Sequence, residues 1–367
     1  FNYGALREAY DVLYGLRGIP TYHTDRADLL ITLGADLFES FINPVRFARQ
    51  FAAGHDNHQV WYHLEPHLSL TGANATHRLV LRAGSEQWLL AYLLRSTEPR
   101  RRLPRQVLNA IPEPSTAVVS ELTGLSVEQI EELASAWEAA ENPLVVVGGV
   151  STAHEGGLAV ALLAGLLQES SESVGTLVDL SGSVELGRIG SLSQLRDRAA
   201  ELANESIGVF FLSRLHSLAG GPGLQDVAAS AELTVGFLDF LDPPADACDV
   251  ILPLSHGFES LGDVEAYAGL RRVIRPAFRT LYDTRTEGDV HLQLMGEAGA
   301  WNEYVRREWR GRGADPESQA LRDQRDVLQR AVLRSGPTAR RLAEAWTEYD
   351  PLDPVLVVTA SLRCFDG

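Results

Sequence analysis

The stretch AELTVGFLDFLDPPADACDVILPLSHGFESLGD, residues 231–263, constrains the fold more than any other part of the chain. Two mostly unbroken apolar runs, residues 234–240 and 250–252, flank a Pro-Pro turn and lead into a polar loop. A strand wet on one face alternates apolar and polar residues. An unbroken apolar strand is covered on both faces, which is the condition of parallel sheets in α/β proteins. Pro253 lacks a backbone donor and ends the second run. The polar residues Ser255, His256, Glu259 and Asp263 therefore fall at a carboxyl edge, where open α/β sheets bind ligands.

The same alternation runs through the chain. Leu6, Tyr10 and Leu13 mark a helix stopped by Gly15, Gly18 and Pro20. Residues 27–33 (ADLLITL) read as a buried strand entering Gly34-Ala35-Asp36, and Phe41, Val45, Ala48 and Phe51 predict a helix over 38–51. Strands follow at 59–64 and 79–81, then a helix to residue 94, and residues 99–114, rich in proline, read as a connection. Ser126 and Gln129 form a capping-box pair ahead of a helix carrying Ile130, Leu133 and Trp137. Strands at 144–147, 176–180 and 207–212 alternate with helices at 157–167 and 192–203. Charged helices are expected at 301–312, 317–333 and 338–346, and a last strand at 355–362. This order predicts an α/β fold of two doubly wound, mostly parallel lobes, 1–180 and 181–367. The second carries a charged helical insertion at about 300–350. Residues 29–33, 145–147, 209–212 and 235–238 are expected as inner strands.

The formal net charge of −17 argues against nucleic acid or an anionic membrane as partner. Arg100, Arg101, Arg102 and Arg105 are the exception, and their proline-rich setting reads as a solvated loop. All 32 basic residues are arginine, so no P-loop lysine and no Schiff-base lysine is available. Cys248 and Cys364 read as buried thiols, and without any CxxC no cysteine-ligated cluster or structural zinc is expected within these residues. The longest apolar segment, near residues 158–167, is about half of the roughly 20 residues a transmembrane helix needs, so no direct span is expected. The chain opens on Phe1 and stops at Gly367 just after a strand-like run, and is expected to belong to a longer protein.

Other chemistry is weakly signalled. His55, His58, His63, His67 and His77 with Asp56 form a loose imidazole set whose spacing favours ordinary hydrogen bonding over a metal site. Gly220 to Gly223 read as a plain turn before a helix, with an anion site as the alternative. Glu259 and Asp263 could form an acid–base pair, with a solvated loop as the bland reading. G-x-S-x-G, H-E-x-x-H and G-x-G-x-x-G are all absent.

The order of motifs carries a resemblance. RADLLITLGADLFES, HLEPHLSLTGANATHRLVLRAGSE, SVEQIEELASAWEAAENPLVVVGG, DACDVILPLSHGFESLGD and SLRCFDG together resemble the central domains of the molybdopterin oxidoreductase (DMSO reductase) family, which contains formate dehydrogenases and polysulfide reductases. FINPVRFARQFA and LYDTRTEGDVHLQL resemble more closely the molybdoenzyme-like domain of the large iron–sulfur subunit of alternative complex III, which carries no pterin. The departures from the cofactor-binding pattern point the same way. Asp36 puts a carboxylate where the family has the Asn of G-A-N, Asp242-Pro243-Pro244-Ala245 replaces a Thr-Glu-Thr-Ala run, and Ser213-Arg214-Leu215 replaces an Asn-Pro turn. Gly34, Asp36, Glu65, Asp242 and Glu259 are thus candidates for a vestigial pocket, with no catalytic and no metal-binding residue expected.

The resemblance implies a cofactor-free, non-catalytic scaffold within a membrane-bound quinol:electron-acceptor oxidoreductase. Iron–sulfur clusters would lie outside these residues, and molybdopterin is not expected. Its partners would be a ferredoxin-like domain, a quinol-oxidising membrane subunit and cytochrome c subunits, on the periplasmic side of the bacterial cytoplasmic membrane. A catalytic molybdopterin-dependent subunit and a soluble binding module are the alternatives.

Overall fold

A computed structural model of the chain describes residues 3–55, 59–185, 192–213, 223–241, 243–267, 270–311 and 332–346, and these divide into two compact units. The first takes in the described residues up to 185 together with 332–346, and the second takes in 192–311.

The first unit opens with α1 (Gly4–Tyr14), whose Leu6, Ala9, Tyr10 and Leu13 face the core. β1 (Gly18–Tyr22) and β2 (Leu29–Leu33) follow, then α2 (Pro44–His55), β3 (Val60–Glu65), α3 (Leu70–Asn74) and β4 (His77–Val80). Next come α4 (Glu86–Ser96), α5 (Arg105–Leu108), α6 (Thr116–Thr123), α7 (Val127–Ala139), β5 (Pro143–Val147), α8 (Gly157–Ser170) and β6 (Val178–Glu185). β4, β3, β2 and β5 form a parallel sheet in that order, while β1 pairs antiparallel with β6. Every residue of α8 is buried: its apolar stretch 157–167 packs in the core, and Gln168 and Glu169 at its end are hydrogen-bonded by Tyr10 and Tyr14. It packs against α1, α4 and β5.

The second unit holds α9 (Leu192–Leu202), β7 (Ile207–Ser213), α10 (Leu224–Ser230), β8 (Ala231–Leu238), β9 (Val250–Pro253), β10 (Gly262–Tyr267) and β11 (Leu270–Ile274), then α11 (Glu287–Leu294) and α12 (Trp301–Gly311). β7, β8 and β9 form a parallel sheet in that order, and β10–β11 is an antiparallel hairpin. α13 (Ser335–Ala345) returns to the first unit, where Leu342 and Ala345 join the core and the helix packs on α1, α5 and α8. The expected boundaries put this helix in the second lobe, 181–367, within its charged insertion. Its one apolar face decides where it packs.

The α/β class and the parallel sheets match expectation. The placing of inner strands matches only in part: β2 and β8 are inner, whereas β5 and β7 are sheet edges, and β3 takes the second inner place of the larger sheet. β1, β10, β11, α6 and α11 were not foreseen. The helix expected over 38–51 begins at Pro44, where Asn43 accepts from the Arg46 amide (3.1 Å) and proline takes the first helical position. The strand expected at 355–362, and the helix at 317–333 apart from its last two residues, lie outside the described residues.

Candidate functional site

β2, β3 and β4 step outward in one direction and β5 lies on the other side of β2, so the strand order reverses between β2 and β5. The carboxyl ends of these two strands are where a doubly wound sheet opens a ligand crevice. Gly34 leaves β2 with φ +60° and Gly149 follows β5 with φ +54°, conformations that favour glycine. The crevice is packed by the chain itself. A Cβ at Gly34 would strike Ser151, a Cβ at Gly148 would strike the Phe41 ring, and Phe41 and Ser151 are each only 1% exposed. Ser151 Oγ donates to Glu86 Oε1 (3.1 Å), and His154 Nε2 lies 3.3 Å from Glu86 Oε2. Phe41 reaches inward on a tight turn in which Ile42 adopts φ 45°, rare for a β-branched residue. The Tyr3 hydroxyl braces that turn, accepting from the Ile42 amide (2.9 Å) and donating to Ser40 O (2.8 Å).

Asp36 stands at the rim. Its carboxylate accepts from the Thr71 hydroxyl (2.6 Å), and Thr71 Oγ1 accepts from the Phe38 amide (3.2 Å). Partial burial, with the hydrogen bond to Asp36 and its charge, raises the Glu39 pKa above the ordinary carboxylate range. The rim is acidic and internally bonded.

Glu65, at the end of β3, is buried and fully engaged. Trp61 Nε1 donates to Thr32 Oγ1 (2.8 Å), Thr32 Oγ1 lies 2.6 Å from His63 Nδ1, and His63 Nε2 lies 3.0 Å from Glu65 Oε2. A carboxylate only accepts, so Nε2 carries a hydrogen and donates to Glu65. The Ser69 amide (3.1 Å) and Arg78 Nε (2.6 Å) complete the shell around Glu65. Burial alone would raise the Glu65 pKa, but hydrogen bonds from His63, Ser69 and Arg78 outweigh it and hold it at about 2. A carboxylate held this way neither takes up a proton near neutrality nor turns toward a ligand.

The carboxyl edge of the second unit does not assemble an acid–base pair. Glu259 accepts from the backbone amides of His256 (3.0 Å) and Leu281 (3.0 Å), fastening a turn. Asp263 sits in β10 and accepts from Trp309 Nε1 (3.0 Å). His256 Nδ1 accepts from the Phe258 amide (3.1 Å), and Ser255 Oγ lies 3.0 Å from Thr284 Oγ1. Asp242, Arg214, Gly220, Cys364, Asp56 and His58 lie outside the described residues. Cys248 is partly buried and its thiol points at Pro244 O (3.3 Å).

Nor do the scattered histidines converge. His63 belongs to the Glu65 network, His77 stacks on Tyr62 (4.6 Å between centroids), and among the described residues no three metal-ligating side chains meet. The arginines of the cluster are exposed, and two of them also hold the chain. Arg100 donates to the carbonyls of Ala140 and Glu141, just past the end of α7, where a cation is favourable, and Arg101 pairs with the buried Glu169 (2.8 Å). Phe41, Ser151, Glu86 and His154 are the site residues that sequence reasoning missed. The Asn43-Pro44 helix start was the available signal, since it frees Phe41 from the helix.

No known protein-family profile matches the chain. Over 335 residues, 80% of this chain and 46% of the relative, it is 27% identical to a protein of Nitratidesulfovibrio vulgaris strain Hildenborough named menaquinone reductase, molybdopterin-binding-like subunit. Its fold matches that of acetylene hydratase from Pelobacter acetylenicus with a TM-score of 0.60 at 15% identity, over 77% of this chain and 48% of that one. The sequence is thus similar to that of the menaquinone reductase subunit, and the fold to that of the acetylene hydratase. The chain spans about half the length of each of these proteins. Gly34 and Asp36 follow β2 and Glu65 ends β3, at the carboxyl edge of the first unit's sheet, whereas Glu259 belongs to the second unit.

Proposed function

We propose that this chain is a structural, pterin-free domain of a subunit in a membrane-bound quinone-linked oxidoreductase. The reading rests on one observation: Phe41 and Ser151 fill the crevice at the strand-order reversal, and no open amide cradle is left there for a pyrophosphate. Asp36 and Glu39 at its rim would repel such an anion, so the residues present do not fit the pterin group. The relative named as a menaquinone reductase subunit supports placement in a multisubunit quinone-linked complex. Within that reading, the chain scaffolds the large iron–sulfur subunit of an assembly like alternative complex III, on the periplasmic face. It would bear against a ferredoxin-like domain that holds the clusters, a quinol-oxidising membrane subunit and cytochrome c subunits. No helix among the described residues is long and apolar enough to cross a membrane, so attachment would come through other subunits.

Metal analysis of the purified complex, with fluorescence of any oxidised pterin, tests the proposal. The expected result is no molybdenum, tungsten or pterin assigned to this chain, and unchanged quinol turnover after Glu259→Gln. Stoichiometric pterin bound by the chain would restore the catalytic reading. Assays run in both directions separate quinol oxidation, expected of an alternative complex III-like assembly, from quinone reduction, for which the relative is named.

A further inference from the structure

The geometry points to a docking surface on the second unit that takes an acidic face of another protein subunit. The inference rests on the reading above, that the chain works inside an assembly, and names the surface it uses. From Arg272 to Tyr282 every described side chain is exposed. Within this segment and the turn beside it, Phe258 is 62%, Phe278 47%, Leu281 71% and Tyr282 79% exposed. Exposed apolar side chains scattered singly are normal, but these are held together. The Ala277 amide donates to Phe258 O (2.7 Å), the Leu281 amide donates to Glu259 Oε1 (3.0 Å), and the Phe258 and Phe278 rings meet edge-on at 6.2 Å. The patch is therefore fixed before any partner arrives, which lowers the ordering cost of binding.

Its charge selects the partner. Arg272, Arg275 and Arg279 are exposed, and none of them makes an ion pair or hydrogen bond among the described residues. Of the neighbouring carboxylates, Asp283 is paired with Arg285 (2.7 Å), and Glu259 and Asp263 keep their charge but are turned to neutral donors of the chain, two backbone amides and the Trp309 indole. A basic, apolar surface on a chain of net charge −17 matches an acidic protein face with an apolar centre. An anionic bilayer fits poorly, because the rest of the chain would be repelled from it. A second copy also fits poorly. Symmetric pairing would set arginine against arginine.

The experiment uses the complex from native membranes. A photo-crosslinking residue at Tyr282 is compared with one at Val118, an exposed position of the first unit. Separately, Arg272→Glu, Arg275→Glu and Arg279→Glu are combined, with circular dichroism and thermal unfolding checked on the purified chain. We expect crosslinks from position 282 to an acidic segment of one other subunit, none from position 118, and co-migration with the complex reduced at least ~10-fold by the triple reversal. Crosslinks only between copies of the chain would overturn the proposal. So would flotation of the wild-type chain with phosphatidylglycerol vesicles that the reversal abolishes. A folded triple variant that stays in the complex without crosslinks from 282 overturns the docking surface and leaves the proposed function standing. A wild-type chain that migrates apart from any complex overturns both.

Discussion

β2 and β7 are both apolar strands of parallel sheets, yet their surroundings are opposite. Every residue of β2 is buried, whereas β7 leaves Val209 and Phe211 at 48% and 41% exposure. The first unit packs a fully buried helix against β5, α1 and α4, and its polar interior groups close into networks such as Trp61–Thr32–His63–Glu65–Arg78. In the second, smaller unit the described sheet has three strands, and most of the exposed large apolar side chains of the described residues belong to it. The difference teaches that similar apolar runs can serve a closed core or an open surface. One unit is built to hold shape, the other to be met.

The comparison breaks most readily at Phe41. Phe41→Ala removes a fully buried ring from the crevice and should destabilise the first unit by about 3–5 kcal/mol, read as a shift of its urea transition. Val209→Ala, on the exposed edge strand, should shift the second unit's transition by less than ~1 kcal/mol. Equal losses would mean that β7 is as well packed as the crevice, and the contrast would fail.

Glu65→Ala comes next. It leaves His63 and Arg78 without their acceptor, a loss of about 3 kcal/mol for a buried pair broken on one side. The network also predicts a pH dependence. The folded Glu65 titrates at about 2, below the ordinary value of ~4.3, so its contribution is present above that ordinary value and is lost as pH falls through the folded one. Burial pushes Tyr10 up to about 12 despite its hydrogen bonds to Tyr22 and Gln168. Its contribution is full below the ordinary tyrosine value of ~10 and is lost as pH rises toward the folded value. Acid and alkaline denaturation followed by circular dichroism should therefore erode the first unit at both extremes. Glu65→Gln should flatten the acid limb only, and a variant with the wild-type acid limb would remove Glu65 from the account.

Much of this contrast was legible in the sequence, and the part that was not has physical causes. The apolar 157–167 run reads as a helix and lies wholly buried, and the Ser126–Gln129 capping box appears in the structure as written. Gly34, Asp36 and Glu65 were singled out by the family resemblance, and the strand pattern alone places them at the ends of β2 and β3. Phe41, by contrast, read as part of a helical face, because apolar spacing does not reveal that Asn43-Pro44 starts the helix after it. β1 was hidden by Gly18 and Pro20, which resemble a helix stop, although the strand is wholly buried and pairs with β6, far away in the chain. For Glu259 and Asp263 the sequence left an acid–base pair open beside a solvated loop, because it gives proximity and omits donors. The amides of His256 and Leu281 and the Trp309 indole are what engage them.

Matched capping boxes sharpen the comparison at a smaller scale. Ser126 caps α7 in the first unit and Thr286 caps α11 in the second, each bonding the amide three residues on. Ser126→Ala and Thr286→Ala should each cost about 1 kcal/mol, since a cap is local and does not depend on the surrounding core. Differential scanning calorimetry should show each change shifting only its own unit's transition. A change that moves both would show that the units unfold together.

The smallest effect is expected at Leu281. Its side chain is 71% exposed, while its backbone amide, which any residue retains, holds Glu259. Leu281→Ser removes apolar surface that is still largely in water, so little burial energy is lost, and no core cavity can form. The expected change in the second unit's unfolding free energy is within ~0.5 kcal/mol, against several-fold more for Phe41→Ala in the first. Urea titration of the two purified variants side by side reads the difference. A loss above ~2 kcal/mol at Leu281 would mean that this side chain packs in the isolated chain, and the surface that distinguishes the second unit from the first would be part of its core instead.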